Sequence, residues 1–160
     1  MGVSALGIIL VALAGADAEA APPAPTVYMW AVQASDEGRE ERYYTPGLDK
    51  RARKAMADLP YDTYNALRIA SRPAPYQWET RFPINEKYTL IAKPISPQLD
   101  GRLRIDVRVA MAPKQAGDEP VKALDIRLVV TPGNAVKFRG LQLDEGELVI
   151  VLLAEIKEQP

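Results

Sequence analysis

The sequence has neither cysteine nor histidine. Because these two side chains supply thiol nucleophiles, disulfides, most zinc ligands and the commonest general base, their absence excludes those chemistries from the chain. An enzyme built from this sequence would have to use carboxylates, lysine, tyrosine or hydroxyl groups. The inventory therefore favours a protein that is not an enzyme and that carries no metal or other cofactor.

The sequence also lacks an apolar run of the ~20 residues that a membrane-spanning helix needs. A shorter apolar stretch, residues 3–16, is followed by Ala18-Glu19-Ala20, which has small residues at the two positions that define a cleavage site. Although no Lys or Arg precedes the stretch, the pattern resembles a secretory signal peptide that ends at residue 20. We therefore expect an exported bacterial protein, periplasmic or extracellular, that meets the membrane only through its signal peptide.

Neither sign of charge is in excess, since 20 Lys and Arg stand against 21 Asp and Glu. A dedicated nucleic-acid binder normally concentrates basic residues, so this balance argues against a nucleic-acid partner. An exported protein without catalytic groups acts through its surface. We expect its partner to be another envelope or extracellular protein, or a second copy of the chain.

Proline is abundant, at 14 residues, whereas helical patterns are scarce. From residue 64 onward apolar residues recur with a period of two between proline and glycine turns, which is typical of short antiparallel strands. The predicted strands cover residues 27–32, 64–72, 77–84, 87–95, 101–111, 121–131 and 147–156. This pattern predicts a mainly β protein, an antiparallel β-sandwich or an open barrel. Residues 21–42 are predicted as an extended leader containing the first strand, and residues 43–160 as a single β-rich domain.

A single short N-terminal α-helix is predicted over about residues 46–58. Thr45-Pro46 has the form of an N-cap hydroxyl followed by proline at the first helical position, and apolar residues follow at spacings of three and four. This segment contains the densest basic cluster of the chain, which makes Lys50, Arg51 and Lys54 candidate contacts for an anionic partner. An ordinary solvated helix face explains the same cluster without a partner.

Aliphatic and charged residues alternate in two predicted strands, residues 101–111 and 121–131. This alternation determines which residues of the two strands lie opposite one another when they pair. Pairing Leu103 with Val130 and continuing in step to Val109 with Leu124 keeps every aliphatic side chain on one face. The same register sets Arg108 opposite Asp125 and Asp106 opposite Arg127, whereas slips of two residues oppose like charges. The charged face is thereby explained without a ligand, except for Arg102 and Arg104. These two arginines have no partner in this register and are candidates for anion contact.

The aromatic residues concentrate between residues 43 and 88, and Tyr76, Trp78 and Phe82 share one parity. If that parity faces solvent, Tyr76 and Trp78 form a platform for sugar rings, which makes a carbohydrate-binding module the alternative function. If it faces inward, the rings pack in the core, with a turn at residues 84–86 that brings Phe82 opposite Tyr88.

Two features near the C-terminus complete the expectations. Residues 148–154 are apolar on both parities, which is typical of a strand covered on both faces. Just before them, Asp144, Glu145 and Glu147 lie close together, and clustered carboxylates can do acid–base chemistry or bind calcium. The stretch lacks the spaced ligands of a calcium loop, and Gly146 between charged residues is typical of a turn before a strand, which is the better explanation.

Overall fold

The computed structural model describes residues 21–157, which form two β-sheets packed face to face and one short helix. In chain order the elements are β1 Thr26–Ser35, β2 Tyr43–Tyr44, α1 Lys50–Ala55, β3 Thr63–Pro73, β4 Thr80–Pro83, β5 Tyr88–Pro97, β6 Leu103–Met111, β7 Val121–Val130, β8 Val136–Gln142 and β9 Glu147–Glu155. Sheet A has the strand order β2-β3-β1-β9-β8, and sheet B has the order β4-β5-β6-β7. The predicted sandwich is confirmed, and the two sheets do not close into a barrel. The predicted signal peptide lies outside the described residues.

The main core lies between the two sheets and follows directly from the period of two. Sheet A contributes alternate residues such as Met29 and Ile150, and sheet B contributes residues such as Leu90, Ile105 and Val107, all fully buried. On the opposite parity of β6 and β7 the side chains are less buried and are mostly charged. The alternation in the sequence therefore corresponds to the inner and outer faces of sheet B.

A second core lies on the other face of sheet A, where the helical segment covers it. The buried side chains of this segment are spaced like one face of a helix: Leu48, Ala52, Met56 and Leu59. They pack on residues of β1 and β9, among them Trp30 and Val151. The strand apolar on both parities is therefore covered on both faces, as predicted for residues 148–154, because β9 lies between the two cores.

The helix is shorter than the pattern predicts and begins at a different cap. Asp49 is the N-cap, and its carboxylate accepts hydrogen bonds from the backbone N–H groups of Arg51 and Ala52. Thr45 does not cap the helix, because its hydroxyl lies against β3 and accepts a hydrogen bond from the N–H of Ala66. Pro46 and Gly47 form a turn between them, with Gly47 at a φ of 101°.

The predicted register of β6 and β7 is confirmed over its whole length. Leu103 lies opposite Val130, Val109 lies opposite Leu124, and Asp106 lies opposite Arg127. The predicted register of β4 and β5 is wrong by two residues, because Phe82 lies opposite Leu90 rather than Tyr88. The inward parity of Phe82 is unaffected by this shift.

The first strand is an integral part of the sandwich. β1 is hydrogen-bonded on one side to β3 and on the other to β9. Because both of its backbone edges are used within the chain, residues 26–34 have no edge left to pair with a neighbouring protein.

Candidate functional site

One end of sheet B, where β5 ends and β6 begins, carries four of the candidate residues: Tyr76, Trp78, Arg102 and Arg104. Trp78 belongs to the loop before β4, and this loop is held against β5 by Gln77. The Gln77 backbone N–H donates to the carbonyl of Pro94, and its side-chain amide donates to that of Ile95, both at 2.7 Å. Gln77 itself has a φ of 68°, a conformation that L-residues rarely adopt. The Trp78 side chain is 71% exposed at this held loop.

The two arginines of this end differ in their partners. Arg102 forms an ion pair with Asp100 at 2.6 Å and is therefore neutralised locally, beside the exposed hairpin tip that carries Leu99. Arg104 lies on the outer face, opposite Ser96 on β5 and Val129 on β7. Arg104 is therefore the better placed of the two to contact an anion.

Tyr76 does not form a platform with Trp78. Its ring is half-buried and packs against the core between the sheets, and its hydroxyl is buried without a hydrogen-bond partner among the described residues. Burial also raises the pKa of this phenol. The expected two-ring platform is therefore reduced to the single exposed ring of Trp78.

The basic cluster lies elsewhere, on the helix that covers the outer face of sheet A. The Arg51 guanidinium already has partners within the chain, because it forms ion pairs with Asp49 and, at 2.8 Å, with Glu155. It also lies over the rings of Tyr28 and Trp30. Lys50 and Lys54 are exposed, and Lys54 lines a shallow depression of about 420 Å³. The structure thus separates these basic residues from Trp78 and Arg104 instead of joining them in one site.

The acidic residues before β9 also do not form a reactive pair. Glu147 is buried and accepts hydrogen bonds from the Tyr61 hydroxyl, from the Arg139 guanidinium and from the backbone N–H of Gly140. Burial alone would raise the pKa of Glu147, but these hydrogen bonds outweigh it and hold the pKa below its usual value. Asp144 lies exposed in the preceding turn. Glu147 therefore joins β8, β9 and the segment after α1 as a structural ion pair.

A surface that was not singled out from the sequence is the free edge of β7. This strand pairs with β6 on one side and, among residues 21–157, has no neighbouring strand on the other. On the inner row of β7, Leu124, Ile126 and Leu128 are only half-buried, whereas the β6 residues opposite them are fully buried. Val121 and Val129 are 51% and 46% exposed. β7 therefore offers both unpaired backbone groups and apolar side chains to an incoming chain.

The charged side chains around this edge are arranged in rows across sheet B. Arg127 makes two hydrogen bonds to Asp106 on the neighbouring strand, at 2.6 and 2.9 Å. The second expected ion pair does not form, although Arg108 lies opposite Asp125. The Arg108 guanidinium bonds Glu79 instead, and Asp125 bonds Lys122 at 3.0 Å. Asp125 and Arg127 both remain largely exposed beside the free edge.

The sequence gives little signal for this edge, because an alternating strand looks alike in the middle and at the border of a sheet. Position in the sheet depends on which distant segments pair, and the register of β6 with β7 does not say whether a third strand follows. One local sign does exist. Lys122, Asp125 and Arg127 are the kind of charged residues that natural edge strands carry to limit uncontrolled pairing.

The described residues, 21–157, contain no helix long and apolar enough to cross a membrane and no cluster of three or more acidic side chains suited to a metal ion. Comparison with family models, with curated proteins and with solved structures finds no match.

Proposed function

We propose that this chain is an exported, non-enzymatic protein that acts by binding another protein chain along β7, as a component or accessory factor of an envelope or extracellular assembly. The observation that carries the proposal is the free edge of β7 together with its half-exposed apolar row. Edge strands recognise extended segments by continuing the backbone ladder, and the side chains facing the same way add specificity.

Length and regularity distinguish β7 from the other sheet borders. β2 has two residues, β4 has four and ends at Pro83, and β8 is interrupted by a bulge between Phe138 and Leu141. β7 has a bulge at its start, between Lys122 and Leu124, and then runs without interruption from Leu124 to Val130. A regular run of this kind can accept a full additional strand, whereas the shorter or bulged borders cannot.

Export is the second component of the proposal, and it has its own test. The apolar stretch and the small residues before Ala21 support cleavage after residue 20. Expression in a bacterium should release a product whose intact mass corresponds to a chain beginning at Ala21. A product that retains residues 1–20 in the cytosol would contradict export without affecting the binding surface.

The binding surface can be tested by site-specific photo-crosslinking in the organism that produces the protein. A photoreactive phenylalanine analogue replaces Val129 at the β7 edge, and in a matched control it replaces Ile69, which is 43% exposed on β3. We expect a discrete adduct from position 129 and none of the same mass from position 69. Failure to form an adduct at position 129, or the same adducts from both positions, would contradict the proposal.

A carbohydrate-binding module is the second candidate, and the exposure of the Trp78 ring favours it. Because Trp30 is buried and Trp78 is the other tryptophan of the chain, sugar stacking would change the intrinsic fluorescence through Trp78 alone. Titration with soluble acidic polysaccharide should then shift the emission of the wild type but not of Trp78→Phe. An unchanged wild-type spectrum would exclude stacking of that ligand on Trp78.

A further inference from the structure

We infer that the chain that fits β7 is a second copy of this protein, paired antiparallel about a two-fold axis at Ile126. The inference rests on the proposed function, because it names the partner of the same edge. It follows from the pattern of side chains on β7, which is complementary to itself when the strand is reversed.

The hydrogen-bonding pattern first limits the registers that a symmetric pair can use. Successive residues of an edge strand point their backbone groups alternately towards the sheet and away from it. Two copies can therefore form a ladder only when residues whose backbone groups point outward in one copy lie opposite outward-pointing residues of the other. In such a pair the two-fold axis passes through a residue and not through a peptide bond. The same condition keeps the inner faces of the two copies on one side of the joined sheet.

With Ile126 on the axis, both faces of the new pair are complementary. On the outer face, Asp125 of each copy lies opposite Arg127 of the other, which gives two opposite-charge pairs by symmetry. On the inner face, Leu124 lies opposite Leu128, and Ile126 lies opposite its own counterpart, so the half-buried apolar row becomes covered. Cross-strand pairs of both kinds stabilise an antiparallel ladder.

Other residues on the axis give poorer pairs. With Asp125 on the axis, two carboxylates lie directly opposite, and with Arg127 on the axis, two guanidinium groups do. With Leu124 or Leu128 on the axis, Asp125 and Arg127 lie opposite uncharged residues. Ile126 is therefore the one centre within the regular run of β7 that opposes unlike charges.

The joined sheet also extends a charge pattern that already exists within one copy. Lys93 on β5 lies opposite Asp106 on β6, and Asp106 lies opposite Arg127 on β7. In the pair, this row continues into Asp125 and then Arg108 of the second copy, so that the sign of charge alternates along five adjacent strands. The existing Lys122–Asp125 ion pair is largely exposed and yields to the new contact at little cost.

An engineered cysteine tests the inference directly, because the natural sequence has none. Residues opposite one another in an antiparallel pair have Cα atoms ~4.5–5.5 Å apart, which is within the range that a disulfide bridges. Ile126→Cys on the axis would therefore join two copies. In Val129→Cys, the two cysteines lie about 20 Å apart, because residue 129 is three residues from the axis in each copy.

We expect the purified Ile126→Cys protein to form a disulfide dimer about tenfold or more faster than Val129→Cys under mild oxidation, measured by intact mass without reductant. A mixture of Leu124→Cys and Leu128→Cys, whose positions lie opposite one another in the pair, should form mixed dimers, although each variant alone does not. Circular dichroism of the reduced variants checks that they are folded. If Ile126→Cys links no faster than Val129→Cys, the inference is wrong.

A charge experiment provides an independent readout that needs no covalent bond. Ile126→Lys and Ile126→Glu each place like charges opposite one another on the axis, so each should sediment as a monomer, whereas their equimolar mixture should sediment as a dimer. A mixture that remains monomeric while the wild type is dimeric would place the two-fold axis elsewhere and contradict the register.

The outcomes separate this inference from the proposed function. If Ile126→Cys does not link to itself but the photoreactive group at position 129 captures a chain of another mass, β7 is a binding edge for a different protein and only the inference fails. If the wild type is monomeric and position 129 captures nothing, both fail. A captured adduct of twice the chain mass, together with the cysteine result, supports both.

Discussion

Asp106 on β6 lies directly opposite Arg127 on β7, and its carboxylate accepts hydrogen bonds from the guanidinium at 2.6 and 2.9 Å. These hydrogen bonds hold the pKa of Asp106 below its usual value, which keeps the carboxylate charged in acid. A slip of two residues in one direction would set Asp106 against Asp125, and in the other direction it would set Arg108 against Arg127. The pair therefore helps to select one register from those that the aliphatic face allows.

Exchanging this pair should show its role in selecting the register. Asp106→Arg and Arg127→Asp each oppose like charges and should lower the thermal midpoint. The double variant should recover part of the loss, because the attraction is restored while Lys93 now lies opposite an arginine. Asp118→Arg, in an exposed loop, is the control and should leave the midpoint unchanged. A double variant as unstable as the sum of the two singles would contradict this role.

Glu147 should contribute to stability more than any exposed carboxylate. Replacing it by Gln leaves the Arg139 guanidinium and the Tyr61 hydroxyl without their charged acceptor, and we expect a loss of about 2 kcal/mol in the free energy of unfolding. Urea denaturation measures the loss. Glu145→Gln, two residues away and exposed, is the matched control and should unfold like the wild type.

The Glu147 contribution should also depend on pH in one direction. Because its pKa is lower in the folded protein than the reference value of 4.5, the carboxylate stabilises the fold above that pH. Its contribution is lost as the pH falls below 4.5 through the lower, folded pKa. The difference in stability between the wild type and Glu147→Gln should therefore be full at neutral pH and shrink in acid. A difference that grows in acid would contradict the assignment.

Gly146 should tolerate no side chain. It has a φ of 73°, and a Cβ atom added there would clash with the backbone carbonyl oxygen of Ala34 on β1. Gly140 is the matched control, since it has a φ of 85° but open space around the added atom. Gly140→Ala should cost only the conformational penalty of about 1–2 kcal/mol. Gly146→Ala should lower stability further by urea denaturation, and equal losses in the two variants would argue against the clash.

Asp49 should stabilise α1 mainly as its N-cap. Asp49→Ala removes the acceptor for two backbone N–H groups and should cost about 1 kcal/mol. Asp49→Asn keeps an oxygen that can cap the helix and should recover most of this loss, although it lacks the charge that Arg51 contacts. If Asn is as destabilising as Ala, the ion pair with Arg51 matters more than the cap.

The register of β6 and β7 could be predicted because two independent patterns constrain it. The aliphatic row excludes every odd slip, and the charges at Asp106, Arg108, Asp125 and Arg127 distinguish among the even ones. The aromatic segment gave no such double constraint. In the turn between β4 and β5, Asn85 accepts hydrogen bonds from the N–H groups of Lys87 and Tyr88, which lengthens the turn and moves the pairing by two residues.

The start of the helix and strand β8 both differ from the prediction, and each has its own physical reason. Thr45-Pro46 has the chemistry of a helix start, but the Thr45 hydroxyl is used by β3, and the turn at Gly47 delays the helix to Asp49. β8 was not predicted because a bulge interrupts its period of two: Phe138 and Leu141 are both buried although they are three residues apart.

The pairing of β1 with β9 links the earliest strand of the described chain to the latest. Because β9 lies between β1 and β8, sheet A cannot be completed before residue 155 has been synthesised. Contacts this distant in sequence are slow to form, so we expect the completion of sheet A to limit the rate at which the sandwich closes.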